Sequence, residues 1–254
     1  MKADQQRRAV FLQEIGIGPL WLRRDRTAAG EPEMAAVTAA EMGADIDTAS
    51  HIHTEVDTRT IGSMDWAELQ VAVASCTRCG LCRSRNRTVF GTGEPHAKWL
   101  FVGEGPGHQE DMQGEAFVGP AGKLLDNMLR AIGLQRGSNV FLANIVKCRP
   151  IAADGSDRPP SAAETAACMP YLQRQIALIQ PTIIVALGKT AALSLLQIDA
   201  AIPVAKLRGI VHQHAGVPLV VTYHPAYLLR NLPAKSKAWA DLCLALESYA
   251  HAGR

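Results

Sequence analysis

The cysteines are the residues whose spacing points most directly to chemistry. Cys76 and Cys79 form a C-x-x-C pair, and Cys148 and Cys168 lie far downstream of it. Four thiolates brought together suit either a structural zinc ion or an iron–sulfur cluster. The spacing leaves both open, although the separated third and fourth cysteines favour a cluster over a compact zinc ribbon. Cys82 also forms a C-x-x-C pair with Cys79, so the choice of ligands within this segment stays open.

A second set of unusual residues lies where four apolar runs end. These runs, which we predict to be buried strands, are Trp99–Val102, Val140–Val146, Thr182–Leu187 and Leu219–Tyr223. The glycine-rich turn 103–107 follows the first run, and Asn144 lies late in the second. Gly188 follows the third, and His224 follows the fourth.

Helical patterns separate or follow these strands. Large apolar residues recur at helical spacing from Leu124 to Ile132 and stop at Gly133. Ser161 and Glu164 form a capping-box signature for a helix that continues to about residue 178. Two further helices are predicted over 190–196 and 238–250.

This alternation predicts an α/β fold with a mostly parallel four-stranded central sheet, flanked by helices on both faces. Ligands of such folds bind beyond the carboxyl ends of the strands. The four strand ends would therefore meet along one edge and form a single active site.

Composition bounds the remaining possibilities. The chain has 254 residues, of which 48% are hydrophobic and 20% are charged, enough for one catalytic domain. No apolar run reaches the length of roughly 18 residues that a membrane span needs, and no secretion signal opens the chain. We therefore expect a soluble, monomeric protein of the cytosol without membrane association, whose six cysteines do not form a disulfide framework.

The basic residues give a weaker signal. A net charge of +2 is too small to identify a nucleic-acid-binding protein. Several cationic residues nevertheless fall near the motifs, as a groove that contacts a phosphate backbone requires: Arg83, Arg85, Arg87, Lys147, Arg149, Arg158, Lys206, Arg208 and Arg230. An ordinary solvated surface explains the same pattern equally well.

The N-terminal quarter differs in composition from the rest. We interpret residues 1–64 as an extension, with a short amphipathic segment over 8–22 and a disordered linker over 27–63, and residues 65–254 as the catalytic domain. The stretch 11–23 is similar to the start of the psi subunit of bacterial replicative clamp loaders. That similarity implies a docking peptide for replication machinery within residues 8–23. A membrane-surface helix and a segment packed on its own domain are the alternatives.

Residues 70–250 resemble the family 4 uracil-DNA glycosylases, which carry a [4Fe-4S] cluster. The matching segments are Cys76–Leu81, Val102–Gly107, Glu110–Gly122, Asn144–Pro150 and His224–Asn231, in the family's order and approximate spacing. The resemblance implies a monofunctional enzyme that flips uracil out of DNA and hydrolyses its N-glycosidic bond. The abasic site that it leaves would initiate base-excision repair at the nucleoid of a bacterial cell.

The resemblance also implies the cluster ligands, which are Cys76, Cys79, Cys148 and Cys168. Cys82 then falls outside the ligand set, and the cluster is structural. A neighbouring branch of the superfamily traps DNA covalently through a histidine in the loop between the last two ligands. Here the loop 153–160 contains no histidine, so we predict ordinary turnover.

The chemistry of base excision assigns roles to three motif residues. A flipped base needs a stacking surface, a reader of its edge and a stabiliser of its developing charge. We predict that Phe117 stacks on uracil, Asn144 pairs with its O4 and N3–H, and His224 donates a hydrogen bond to O2. A core phenylalanine, a structural asparagine and a structural histidine are the alternatives.

Other motif residues receive supporting roles. We predict that Glu104 orients the attacking water, that Gly103 and Gly105 hold uracil or a phosphate through their main chain, and that Glu110 crowds uracil C5 to reject thymine.

The residues after His224 are predicted to contact DNA. Tyr227, Leu228 and Leu229 would wedge into the gap left by the flipped base, while Arg230 contacts a phosphate. A hydrophobic turn packed on the domain is the alternative.

Two rival functions remain at this stage. A non-catalytic iron–sulfur or zinc DNA-binding module explains the cysteines and arginines but gives the strand-end motifs no role. A nucleotide phosphate loop at 103–107 lacks the lysine and hydroxyl residue that end a P-loop.

Overall fold

The computed structural model describes residues 58–198 and 201–252. The predicted docking segment 8–23 and linker residues 27–57 lie outside these described residues. Residues 58–63, which we assigned to the disordered linker, form helix α1 (Thr58–Ser63), whose Ile61 side chain is fully buried. The linker prediction is therefore wrong at its end, because one buried side chain in a six-residue helix leaves no periodic pattern to detect.

A six-stranded mixed sheet forms the centre of the described residues. Its strands are β1 (Thr92–Gly93), β2 (Trp99–Gly103), β3 (Val140–Asn144), β4 (Ile183–Leu187), β5 (Val211–His214) and β6 (Val217–Thr222). The order is β1-β3-β2-β4-β6-β5, in which the four inner strands are parallel and both edge strands are antiparallel.

The four predicted strands are the four inner ones, but the predicted total of four is wrong. Each inner strand is an apolar run, and β2, β3 and β4 are buried along their whole length. The edge strand β1 has two residues, and β5 reads Val-His-Gln-His with partial exposure throughout. Neither gives the buried apolar run by which the others were recognised.

Helices cover both faces of the sheet, as predicted. They are α2 (Trp66–Ala74), α3 (His108–Gln113), α4 (Pro120–Ala131), α5 (Ala162–Ile179), α6 (Lys189–Leu196), α7 (Val204–Leu207), α8 (Pro225–Arg230) and α9 (Lys235–Ala252). The capping box predicted for α5 is present, because Ser161 Oγ accepts from the Glu164 amide while the Glu164 carboxylate accepts from the Ser161 amide. None of the described helices has the length and apolar character to cross a bilayer.

Alternate residues of β2 show why both faces are covered. Leu100 and Val102 join the core beneath α2, α5 and α6, whereas Trp99 and Phe101 join the core beneath α4 and α9. A strand that is buried on both sides has no solvent face, which accounts for its continuous apolar sequence.

The carboxyl ends of the parallel strands bring the predicted motifs together. Gly103, the last residue of β2, pairs in register with Asn144, the last residue of β3. Leu187 of β4 pairs with Thr222 of β6, two residues before His224. One edge of the sheet therefore carries all four predicted strand ends.

Candidate active site

A cleft of about 590 Å³ lies at this edge. Glu104, Phe117, Asn144 and His224 all line it, as do residues 105–107 of the glycine-rich turn, whereas Gly103 is not part of the lining. The volume lies within the range of small-molecule pockets and exceeds the need of a single pyrimidine. The cleft therefore contains the side chains that we predicted to converge.

Asn144 is held rigidly at the end of β3. Its side chain is 3% exposed, and its Oδ1 atom has no hydrogen-bond partner among the described residues. Its main-chain oxygen accepts from the buried Lys147 ammonium at 2.9 Å, and that ammonium also donates to Gln175 Oε1 at 2.6 Å. A buried acceptor without a partner costs free energy unless a ligand donates to it.

Gly103 allows the two pocket side chains to approach each other. A Cβ at this position would lie 2.5 Å from Asn144 Oδ1 and 2.6 Å from Phe117 Cζ. Both distances are too short for any real contact, so only glycine fits here. The role of Gly103 is therefore steric. Its predicted main-chain contact with a ligand remains a prediction.

Phe117 occupies an unusual backbone conformation. Its φ angle is +57°, in the left-handed region that non-glycine residues rarely adopt, and its side chain is 6% exposed. Its ring centroid lies 6.1 Å from that of His224, with the planes tilted by 31°. The two rings thus line neighbouring parts of one cleft.

His224 has a defined tautomer. It is the N-cap of α8, and its Nδ1 accepts from the Ala226 amide at 3.2 Å, which leaves the proton on Nε2. Burial lowers the pKa of His224 to about 4, with a further lowering from Arg230 and an opposite effect from Glu110. At neutral pH the ring is therefore an uncharged donor through Nε2.

Two neighbours position catalytic candidates, and of these the sequence singled out Gly188 but not Thr190. The Thr190 hydroxyl donates to Glu104 Oε2. Gly188 has a φ of +93° and leaves room for His224. A Cβ added at Gly188 would lie only 2.9 Å from the Cβ of His224. The only local signal for Thr190 was its place in the first turn of the helix after β4.

The cysteines form a second cluster. Cys76, Cys79, Cys148 and Cys168 line one cavity, and Cys82 lines it as well. Among the described residues, no three histidine, cysteine or acidic side chains are arranged around a single metal ion. The cavity therefore gathers the predicted ligands without forming a one-ion site.

Donors around this cavity suit thiolate acceptors. Arg85 Nη1 lies 3.2 Å from Cys148 Sγ, and the Lys147 amide lies 3.3 Å from Cys168 Sγ. Burial raises the pKa of Cys148 to about 11 and that of Cys168 to about 12, and the nearby cations oppose this shift. The donor set fits an iron–sulfur cluster, whose thiolates take up hydrogen bonds of this kind.

Comparison with known proteins identifies the family. Residues 90–243 match the family model for the uracil DNA glycosylase superfamily. The type-4 uracil-DNA glycosylase of Thermotoga maritima is 43% identical over 160 residues, which cover 63% of this chain and 80% of that protein. The chain belongs to the type-4 uracil-DNA glycosylases.

Two further members of the family show similar identity. The type-4 uracil-DNA glycosylase of Pyrobaculum aerophilum is 38% identical over 187 residues, covering 71% of this chain and 93% of that protein. The type-4 uracil-DNA glycosylase of Sulfurisphaera tokodaii is 42% identical over 171 residues, which cover 65% of this chain and 76% of that protein. These matches confirm the resemblance that the five sequence segments indicated.

Glu110 has a structural role in this type-4 chain that sequence reasoning missed. Its Oε1 accepts from the amides of Val118 at 3.0 Å and Gly119 at 2.9 Å, and its Oε2 accepts from the Gly107 amide at 3.2 Å. The carboxylate therefore joins the glycine-rich turn to the loop that carries Phe117. Its predicted crowding of uracil C5 remains a prediction.

The predicted DNA-contacting residues of the glycosylase fold separate into exposed and buried ones. Tyr227 and Leu229 are 38% and 44% exposed, and the Arg230 side chain lines the cleft. Leu228 is only 1% exposed and packs with Ala234 and Ala238. The prediction that Leu228 contacts DNA is therefore wrong, because the turn of α8 points it into the core.

Proposed function

We propose that this protein is a uracil-DNA glycosylase that extrudes uracil from DNA and hydrolyses its N-glycosidic bond, leaving an abasic site for base-excision repair. One observation carries the proposal. Asn144, whose buried Oδ1 lacks a partner among the described residues, lines the same cleft as Phe117 and His224. Uracil presents a matching donor at N3–H, next to an acceptor at O4.

The amide of Asn144 would discriminate uracil from cytosine. Its oxygen accepts from N3–H, and its nitrogen donates to O4. Cytosine presents the opposite polarity at both positions, so its binding would leave two buried polar groups unpaired. The ring of Phe117 would stack against the flipped base, which compensates for part of the stacking lost in DNA.

His224 would stabilise the charge that develops on the leaving base. As the N-glycosidic bond breaks, negative charge spreads onto uracil O2, and Nε2–H is the donor that the Nδ1 cap leaves free. Glu104, held by Thr190, would orient the water that attacks the sugar cation. The proton released by that water would be accepted by the Glu104 carboxylate.

A stacked series of side chains would support the DNA-facing surface. The Arg208 guanidinium lies 4.3 Å from the centre of the Tyr223 ring, and that ring lies 5.0 Å from the Tyr227 ring. Tyr227 also accepts a hydrogen bond from Asn231 at 2.6 Å. We therefore assign the wedge to Tyr227 and Leu229, with Arg230 on a flanking phosphate.

Cys76, Cys79, Cys148 and Cys168 would hold the [4Fe-4S] cluster. When bound, the cluster would link the C-x-x-C segment, the loop after β3 and helix α5 as a structural cross-link. Lys147 lies between Asn144 and Cys148 in sequence and binds the Asn144 carbonyl. The fold around the cysteines would thus help to fix the position of Asn144, which pairs with the edge of uracil.

Serine variants test this ligand set. Replacing any one of the four proposed ligands with serine is expected to abolish the visible absorption of the purified protein and to lower its iron content, because each iron of the cluster needs one thiolate. Cys82→Ser and Cys243→Ser are the matched controls and are expected to keep both. Loss of the chromophore in Cys82→Ser, or a colourless wild type that contains zinc, would contradict the assignment.

Gly103→Ala tests the close packing of the pocket. The added methyl group would displace Asn144 or Phe117, and a displacement near 1 Å is expected to reduce uracil excision by about 10²-fold. Gly62→Ala is the control, because an added Cβ there meets no atom within 4 Å. Single-turnover rates and melting temperatures measured side by side distinguish a pocket defect from unfolding. Wild-type activity in Gly103→Ala would contradict the packing argument.

The excision assay tests the function itself. The full-length protein is incubated with an oligonucleotide that contains one uracil, and abasic sites are then cleaved with alkali. We expect one cleaved product at the uracil position and none with a thymine control. Binding without cleavage would instead support the non-catalytic DNA-binding module. The cytosolic location, the monomeric state and the replication partner of residues 8–23 remain predictions beside this proposal.

A further inference from the structure

The peptide groups on both sides of Phe117 are fixed by side chains. The residue holds a left-handed backbone conformation at φ +57°, which is unfavourable for an aromatic residue. Such a conformation persists only where the surroundings over-determine it. The contacts of the loop therefore decide whether the ring stays in the cleft.

Arg136 supplies two of these contacts. Its Nη1 donates to the Ala116 carbonyl at 2.8 Å, and its Nη2 donates to the Phe117 carbonyl at 2.7 Å. The guanidinium is itself oriented by Asp126, whose Oδ1 accepts from Nε at 3.0 Å and lies 3.0 Å from Nη2. Glu115 lies 3.8 Å from Nη1 and adds a weaker attraction.

The opposite side of the loop is held independently. Glu110 accepts from the amides of Val118 and Gly119, and Thr92 Oγ1 accepts from the Ala116 amide at 3.2 Å. Gly122 leaves room for the loop, since a Cβ there would lie 1.7 Å from the Phe117 carbonyl oxygen. Arg136 thus binds carbonyls on one side of the loop, and Glu110 binds amides on the other. Together these bonds fix the backbone at Phe117.

Arg136 is not among the described residues that line the cleft. All three of its guanidinium nitrogens are engaged by this loop or by Asp126. Four of its five N–H groups bond the loop or Asp126, and the second N–H of Nη1 has Glu115 at 3.8 Å as its nearest carboxylate. Because Arg136 lies outside the cleft lining and bonds the loop that carries Phe117, we expect its effect on the reaction to pass through that ring.

We propose that Arg136 is a positioning residue for the base-stacking ring, acting through the carbonyls of Ala116 and Phe117. The inference rests on the proposed function and deepens it. Two carbonyls side by side match the planar fork of arginine, whereas a lysine ammonium presents a single point charge. The site thus explains why an arginine occupies a position remote from the base.

The first test is a double-mutant cycle on single-turnover uracil excision. Arg136→Ala is expected to reduce the rate by about 10²-fold, since misplacement of a positioning group has this effect. In a Phe117→Ala background the same change is expected to have little further effect, because the ring it positions is absent. Arg130→Ala on the exposed side of α4 is the matched charge control. Equal losses in both backgrounds would overturn the proposal.

Chemical rescue separates loss of the guanidinium from general damage. Guanidinium chloride at low, non-denaturing concentration is expected to restore part of the Arg136→Ala activity, whereas sodium chloride at the same ionic strength is not. Arg136→Lys is expected to remain well below wild type. Full activity in Arg136→Lys, or equal restoration by both salts, would contradict the need for a fork of two donors.

A crystal structure of Arg136→Ala tests the inference without any activity. We expect the backbone at Phe117 to leave the left-handed region and the ring to move from the cleft, while the sheet is unchanged. An unchanged loop would overturn the inference even if the wild type excises uracil. A moved loop in a protein that excises no uracil would instead support Arg136 as a positioning residue and reject the proposed function.

Discussion

Replacing Asn144 with alanine is expected to reduce single-turnover uracil excision by about 10³-fold, because two buried hydrogen bonds to the base edge are lost together. The side chain is 3% exposed, so water cannot replace these bonds in the closed site. The buried Oδ1 also has no partner among the described residues, so its removal relieves an unpaired acceptor in the free protein. Folding is therefore expected to survive, and the loss should lie in the excision step.

The matched control is Asn127→Ala on the exposed surface of α4. There the Asn127 side chain accepts a hydrogen bond from Arg130. It is expected to excise uracil at the wild-type rate. Melting temperatures of both variants and the visible spectrum of the cluster show whether each is intact. A folded Asn144→Ala variant with wild-type activity would remove the amide from uracil recognition.

Replacing His224 with alanine is expected to reduce excision by about 10²- to 10³-fold, the usual effect of removing one preorganised donor to a developing anion. The donor is the Nε2–H of a neutral ring, because Nδ1 accepts from the Ala226 amide. His224→Gln retains a donor of similar reach and is expected to recover part of the rate. Equal activity in His224→Ala and wild type would exclude this residue from the reaction.

The pH dependence gives an independent check on His224. Burial lowers the pKa of the folded-state ring to about 4, below its ordinary value of 6.5. The unfolded chain therefore binds this proton first, and the stability that the neutral ring contributes is fully present above pH 6.5 and is lost as the pH falls toward 4. Wild-type excision is expected to show no titration of His224 near neutrality, and the loss of stability on acidification is expected to be smaller in His224→Ala. A rate that titrates with a pKa near 6.5 and loses that titration in His224→Ala would contradict a ring that stays neutral at this pH.

The sequence was most informative where local signals act on their own. Buried strands on both faces need continuous apolar runs, so the four inner strands were visible without any partner. Parallel strands share one carboxyl edge, and this alone brought Asn144 and His224 to the same cleft. The capping residues of α5 were readable because Ser161 and Glu164 bond each other within one turn.

The missed features depend on contacts between distant segments. Arg136 binds carbonyls about twenty residues earlier, and Thr190 binds Glu104 across the sheet edge. Neither partner can be inferred from spacing, since loop geometry decides which groups meet. The inclusion of Leu228 in the predicted wedge failed for a related reason: a six-residue helix can bury either Leu228 or Leu229, and its packing against α4 and the start of α9 decides which.

A crystal structure of the protein with both reaction products, free uracil and DNA that contains an abasic site, tests the account most directly. We expect uracil in the cleft with N3–H donating to Asn144 Oδ1, its ring against Phe117 and its O2 facing His224 Nε2. Uracil bound elsewhere, or in this cleft with its Watson–Crick edge turned away from Asn144, would contradict the account.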